Sequence, residues 1–78
     1  MKANQAVREI MKAKDIGTNA LAKLLGKAPR LVSDRLSQET ITTAKLAEML
    51  NKLDYQIVLV PKGSDLPSGS LQIEQPED

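Results

Sequence analysis

Arg30, Ser33 and Asp34 fall at positions i, i+3 and i+4 of a stretch that begins at Pro29. On a helix that spacing brings all three to one face. Their chemistry is hydrogen bonding, not bond making: a guanidinium presents parallel N–H donors, a hydroxyl both donates and accepts, and an ionised carboxylate only accepts. In the major groove of a duplex, Arg30 could donate two bonds to guanine O6 and N7, Asp34 could accept from cytosine N4, and Ser33 is a short adaptable group. The same spacing has a plainer use. Arg30 and Asp34 form an i,i+4 pair, which on an exposed helix is a weak salt bridge. The two uses are compatible, because a carboxylate can orient the guanidinium before a ligand arrives.

Covalent chemistry has little to work with. The 78 residues include no cysteine and no histidine, which removes thiol nucleophiles, imidazole bases, disulfides and the common zinc sites together. Nothing in the spacing of Asp15, Asp34, Glu39 and Glu48 suggests a catalytic carboxylate pair. The expectation is therefore no enzyme, no catalytic residue, no metal and no cofactor.

Two helices must position the Arg30 face. Residues 18–36 read TNALAKLLGKAPRLVSDRL. Leu21, Ala22, Leu24 and Leu25 recur at helical spacing, with Asn19 and Lys23 on the other side. Gly26 ends this run as a left-handed cap, since a residue without Cβ takes that backbone shape cheaply. Pro29 opens the next helix, where its missing amide is no loss and its fixed φ is already helical. Within that helix, residues 29–37, Val32 and Leu36 share the anchoring face.

This layout resembles the helix-turn-helix of the phage repressor and Cro family of DNA-binding proteins. The resemblance covers about 19 residues: a polar residue opening the first helix (Thr18), Leu-Ala after it (Leu21, Ala22), a closing glycine (Gly26) and a β-branched aliphatic in the second helix (Val32). The family usually has Gln at the place of Thr18 and often Ser or Thr at that of Ala28. The resemblance implies a mostly α fold, a four-helix or five-helix bundle with a C-terminal β-strand or β-hairpin for dimerisation. It places base-reading residues at Pro29, Arg30, Ser33 and Asp34. Phosphate contacts are expected from Thr18, Asn19, Lys23, Lys27, Arg35, Thr43 and Lys45, with a salt bridge to Glu39 as the other use for Arg35.

The charge pattern agrees with a polyanion partner. Residues 1–53 carry ten Lys or Arg against five Asp or Glu, whereas residues 54–78 carry one Lys against five acids. A basic helical part and an acidic tail suit nucleic-acid binding, although an ordinary solvated surface produces such splits too.

The remaining segments read as support. Val7, Ile10 and Met11, with Ala3, Ala6 and Ala13, predict a first helix over residues 4–14, decorated by a Glu9 and Lys12 pair. Ile16 should be buried beneath the second helix. A threonine at 42 or 43 should cap a fourth helix, with Ile41 stapling against Leu46. Leu46, Ala47, Met49, Leu50 and Leu53 carry that helix to about residue 53, and Glu48 with Lys52 forms an exposed pair. Thr43 and Lys45 lie at its start, where free amides favour a phosphate.

Residues 54–60 change character. Tyr55, Ile57 and Leu59 alternate with Gln56, Val58 and Val60, and the run stops at Pro61, which predicts a strand. A lone strand would be an aggregation hazard. It should pair either with the same strand of a second molecule or with residues 70–74 after a Gly, Pro and Ser-rich loop; a two-stranded hairpin is itself marginal, so a homodimer is expected either way. Tyr55, Ile57, Val58, Leu59 and Val60 are the dimerisation residues. The domain plan is thus a DNA-binding bundle at 1–53, a dimerisation strand at 54–60, and a loop, second strand and acidic tail at 61–78, with residues 75–78 disordered.

A chain of this size buries only about 60% of its unfolded surface, which makes association a plausible source of stability. No apolar run reaches the roughly 18 residues of a membrane span, and the amphipathic start lacks a signal-peptide core. A cytoplasmic protein with no membrane partner is expected. The principal reading is a sequence-specific regulator of transcription, a repressor binding double-stranded DNA. An antitoxin or antirepressor that holds a protein partner is the alternative, and RNA binding is weaker because Tyr55 is the only aromatic.

Overall fold

Apolar residues at three- and four-residue spacing place four helices around one core in a computed structural model that describes residues 1–74. They are α1 (Ala3–Ala13), α2 (Thr18–Leu25), α3 (Pro29–Leu36) and α4 (Thr43–Lys52). No fifth helix forms among the described residues. Val7, Leu21, Val32, Leu36, Met49 and Leu53 are fully buried, so every helix or its cap contributes to the centre. Each such side chain is worth roughly 1.5 to 3 kcal/mol of transfer free energy. Ile16, Leu25 and Ile41 pack against this cluster from its edge, half-buried. None of these helices is long and apolar enough to cross a membrane.

Three of the helices stop in the same way. After α2, Gly26 sits at φ 68°, the Lys27 N–H donates to the Ala22 carbonyl at 3.0 Å, and the Gly26 N–H donates to Lys23. After α1, Asp15 takes the left-handed position at φ 55° and the Ile16 N–H reaches the Met11 carbonyl at 2.9 Å. After α4, Asp54 does so at φ 64° and the Tyr55 N–H reaches the Leu50 carbonyl at 2.9 Å. These six-to-one bonds satisfy carbonyls that a helix end would otherwise leave unpaired. Only the glycine cap was expected; aspartate takes the position because its short polar side chain tolerates it better than most.

The third helix is tied down at its far end by α1. The Leu36 carbonyl accepts from both Asn4 Nδ2 and Arg8 Nη2, each at 3.0 Å. A cation at a helix C-terminus also opposes the partial negative charge there. Helix α3 is therefore held by buried side chains below and by α1 at its exit, while α2 packs along its flank.

The C-terminal segment departs from expectation. No β-strand forms among the described residues: neither residues 54–60 nor residues 70–74 enter a ladder. The physical reason is that no described segment pairs with residues 54–60, because residue 74 goes elsewhere. The Glu74 N–H donates to the Met1 carbonyl at 2.8 Å, and the Glu74 carboxylate lies 2.9 Å from Lys2 Nζ. Glu39 approaches the same Lys2 at 3.8 Å. The hydrogen bond and charge of Lys2 hold the Glu74 carboxyl below its ordinary value, and Glu74 in turn raises the Lys2 ammonium. Intramolecular hairpin formation is thus replaced by docking of residue 74 on the N-terminus. Tyr55, Ile57, Val58, Leu59 and Val60 are all exposed, Leu59 at 96%. The disorder expected of residues 75–78 lies outside the described residues.

Candidate nucleic-acid interface

Helix α3 is two-faced. Val32 and Leu36 are at most 1% exposed, whereas Pro29, Arg30, Ser33 and Asp34 all stand in solvent. Pro29 occupies the first helical turn as expected, after Ala28 in extended conformation. Arg30 and Asp34 make no ion pair with each other or with any other described residue. Both groups keep their full hydrogen-bonding capacity toward an outside ligand.

A shallow open depression runs beside this face, lined by Ala28, Arg30, Leu31, Asp34, Arg35, Gln38 and Lys45. It joins α3 to the start of α4, so Lys45 shares one surface with Arg30 and Asp34, whereas Pro29 and Ser33 do not line it. Leu31 is an apolar residue of the same helix, yet it is 39% exposed and lies outside the core cluster. Its position in the depression was not visible in the sequence, where a leucine reads as core by default.

The other expected phosphate contacts are distributed around this surface. Asn19 and Lys23 are exposed on α2, and Thr18 at its first position is half-buried. Lys27, in the turn between α2 and α3, is half-buried. Thr43 is exposed at the first position of α4, while Thr42 caps that helix by accepting the Lys45 N–H at 3.3 Å. The N-caps of α2 and α3 are Gly17 and Ala28, and neither supplies a side-chain acceptor to the amides that follow. Uncapped amides at a helix start carry partial positive charge toward an anion.

Arg35 has a different employment from the one expected. Its Nη1 donates to Glu48 Oε1 at 2.6 Å, and its side chain is only 12% exposed. Glu39 is not its partner. The bond runs from α3 to α4 and holds the Glu48 carboxyl below its ordinary value, with the charge of Lys27 acting in the same direction. It also replaces the expected pairing of Glu48 with Lys52, because the arginine fork offers a stronger charge-assisted bond than a flexible ammonium does. Arg35 is a strut beneath the surface; of the cations lining the depression, Arg30 and Lys45 are the two without an ion pair among the described residues.

The described residues hold no group of three His, Cys, Asp or Glu side chains placed to bind a metal. What the surface offers is a donor fork, an acceptor, a hydroxyl and a small apolar spot beside a lysine. Comparison with known proteins adds no family to this picture: no protein-family model, curated protein or solved structure gives a significant match to the chain.

Proposed function

We propose that this chain is a sequence-specific double-stranded DNA-binding regulator of transcription, a phage or prophage repressor of the Cro type that binds operator half-sites as a homodimer. The observation that carries the reading is the two-sided helix α3, sealed below by Val32 and Leu36 and open above at Arg30, Ser33 and Asp34. A helix presented in this manner fits a major groove, and its neighbours Lys23, Lys27 and Lys45 lie on the elements that would flank the backbone. Those lysines neutralise phosphates and release counterions; Arg30 and Asp34 choose among base pairs.

The dimer would form through residues 55–60, antiparallel across a two-fold axis, as a strand completed only by a second copy. Their exposed side chains and unused ladder positions support this arrangement. It would set two recognition helices about one helical turn, roughly 34 Å, apart. Repression is then occlusion of polymerase, and no cofactor is invoked.

The same exposed segment favours one second reading. An antitoxin or antirepressor could use residues 55–60 to grip a different protein, by strand addition to an open sheet edge. Titration with a duplex recovered from a random pool separates the two. The regulator binds one palindromic duplex tightly, with affinity falling steeply as salt rises; weak binding of all duplexes alike would favour the protein-binding module.

A further inference from the structure

We infer that Leu31 reads a thymine methyl group at the base pair next to the one addressed by Arg30, so that the half-site contains an A·T pair with its methyl toward α3. The inference rests on the DNA-binding reading and names what part of the duplex the apolar spot recognises. Three observations lead to it. Leu31 is 39% exposed on a helix whose anchoring is already complete with Val32 and Leu36. It lies in one depression with Arg30, Asp34 and Lys45, all able to contact nucleic acid, and Ala28 extends its apolar floor. It belongs neither to the buried core cluster nor to the partly buried apolar residues packed against that cluster.

Exposed leucines are common and a single one needs no explanation. Leu24, 49% exposed on α2, is such a case, because it does not line the depression. Leu31 differs in its company. A ligand that fills this surface must offer acceptors to Arg30 and an anion to Lys45, and present an apolar group between them. Duplex DNA meets all three demands in its major groove, where the thymine C5-methyl is the apolar group that base edges display. Arg30 and Leu31 are consecutive, about 100° apart around the helix at 3.6 residues per turn, so their side chains diverge, and the methyl is assigned to the pair adjoining the one that Arg30 addresses.

The test starts from the duplex enriched by the full chain from a random pool. Each thymine in turn is replaced by uracil, which removes the methyl and leaves the pairing edge intact. Uracil beside the Arg30-dependent pair should weaken binding roughly three- to fivefold per half-site, the size expected for one methyl. Leu31→Ala should bind thymine and uracil duplexes equally, and Leu31→Met should restore the difference. Helical circular dichroism of both variants should match wild type, since the side chain is outside the core. A consensus without thymine there, or a uracil effect that persists in Leu31→Ala, overturns the inference while leaving a sequence-specific regulator in place. Enrichment of no sequence at all overturns the DNA-binding reading and this inference with it.

Discussion

Arg35 Nη1 lies 2.6 Å from Glu48 Oε1 and bolts α3, the helix with the open polar face, to α4. The arginine is the more sheltered partner, at 12% against 43% exposure. Losing the carboxylate would therefore strand a largely covered guanidinium, a more costly event than losing an exposed pair. Glu48→Gln should lower the thermal midpoint measurably at neutral pH.

The same bond gives the acid response a sign. The folded-state pKa of Glu48 is lowered from 4.5, as is that of Glu74, so the unfolded chain binds more protons in the interval between the two values. Stability from these groups is complete above 4.5 and is lost as pH falls through the lowered values. Midpoints by circular dichroism should drop in that acid window for wild type and drop less in a Glu48→Gln, Glu74→Gln double variant. An equal drop in both would remove these carboxylates from the acid response.

Cap substitutions should act with opposite signs. Gly26→Ala forces a Cβ into the left-handed region, and because that Cβ would meet nothing within 4 Å the cost is conformational, about 1 kcal/mol. Asp15→Gly and Asp54→Gly relieve the same strain and should each stabilise by several tenths of a kcal/mol up to about 1 kcal/mol. Urea unfolding with an unchanged slope is the measurement.

The shared carbonyl of Leu36 predicts non-additivity. Asn4→Ala or Arg8→Ala leaves the other donor in place, so each single change should cost at most about 1 kcal/mol. Removing both orphans the carbonyl, and the double variant should lose more than the sum of the singles. Simple additivity in urea would mean the two bonds are independent.

These cases mark what sequence carries and what it does not. The four helices were legible because their apolar residues repeat at helical spacing and because Gly26 and Pro29 punctuate α2 and α3; observed bounds differ from expected ones by a residue or so. The inward turn of Val32 and Leu36, and hence the outward turn of Arg30, Ser33 and Asp34, follow from the same periodicity. What escaped was tertiary in origin. Glu48 is 13 positions from Arg35, so no local rule favours it over nearby Glu39. Asn4 and Arg8 find Leu36 only after α1 crosses α3. Composition predicted a strand over residues 54–60, but β-branched residues alone could not supply a partner, so no ladder forms among the described residues, and nothing local foretold that Glu74 would bind the N-terminus.

Association should depend on that exposed segment alone. The full chain should sediment as a dimer at micromolar concentration, and Val58→Lys with Leu59→Lys should make it a monomer with unchanged helix content, since neither residue belongs to the core. A wild-type monomer at this concentration would count against strand-mediated pairing.

Selection from a random duplex pool, run in parallel with wild type and Arg30→Ala, asks whether the open face of α3 reads bases. Wild type should enrich a two-fold symmetric site, and the variant should lose preference at one base pair per half-site at a cost of roughly 1 to 3 kcal/mol while keeping the rest. Identical preferences in the two proteins would contradict base reading by Arg30, and with it the role assigned to this helix.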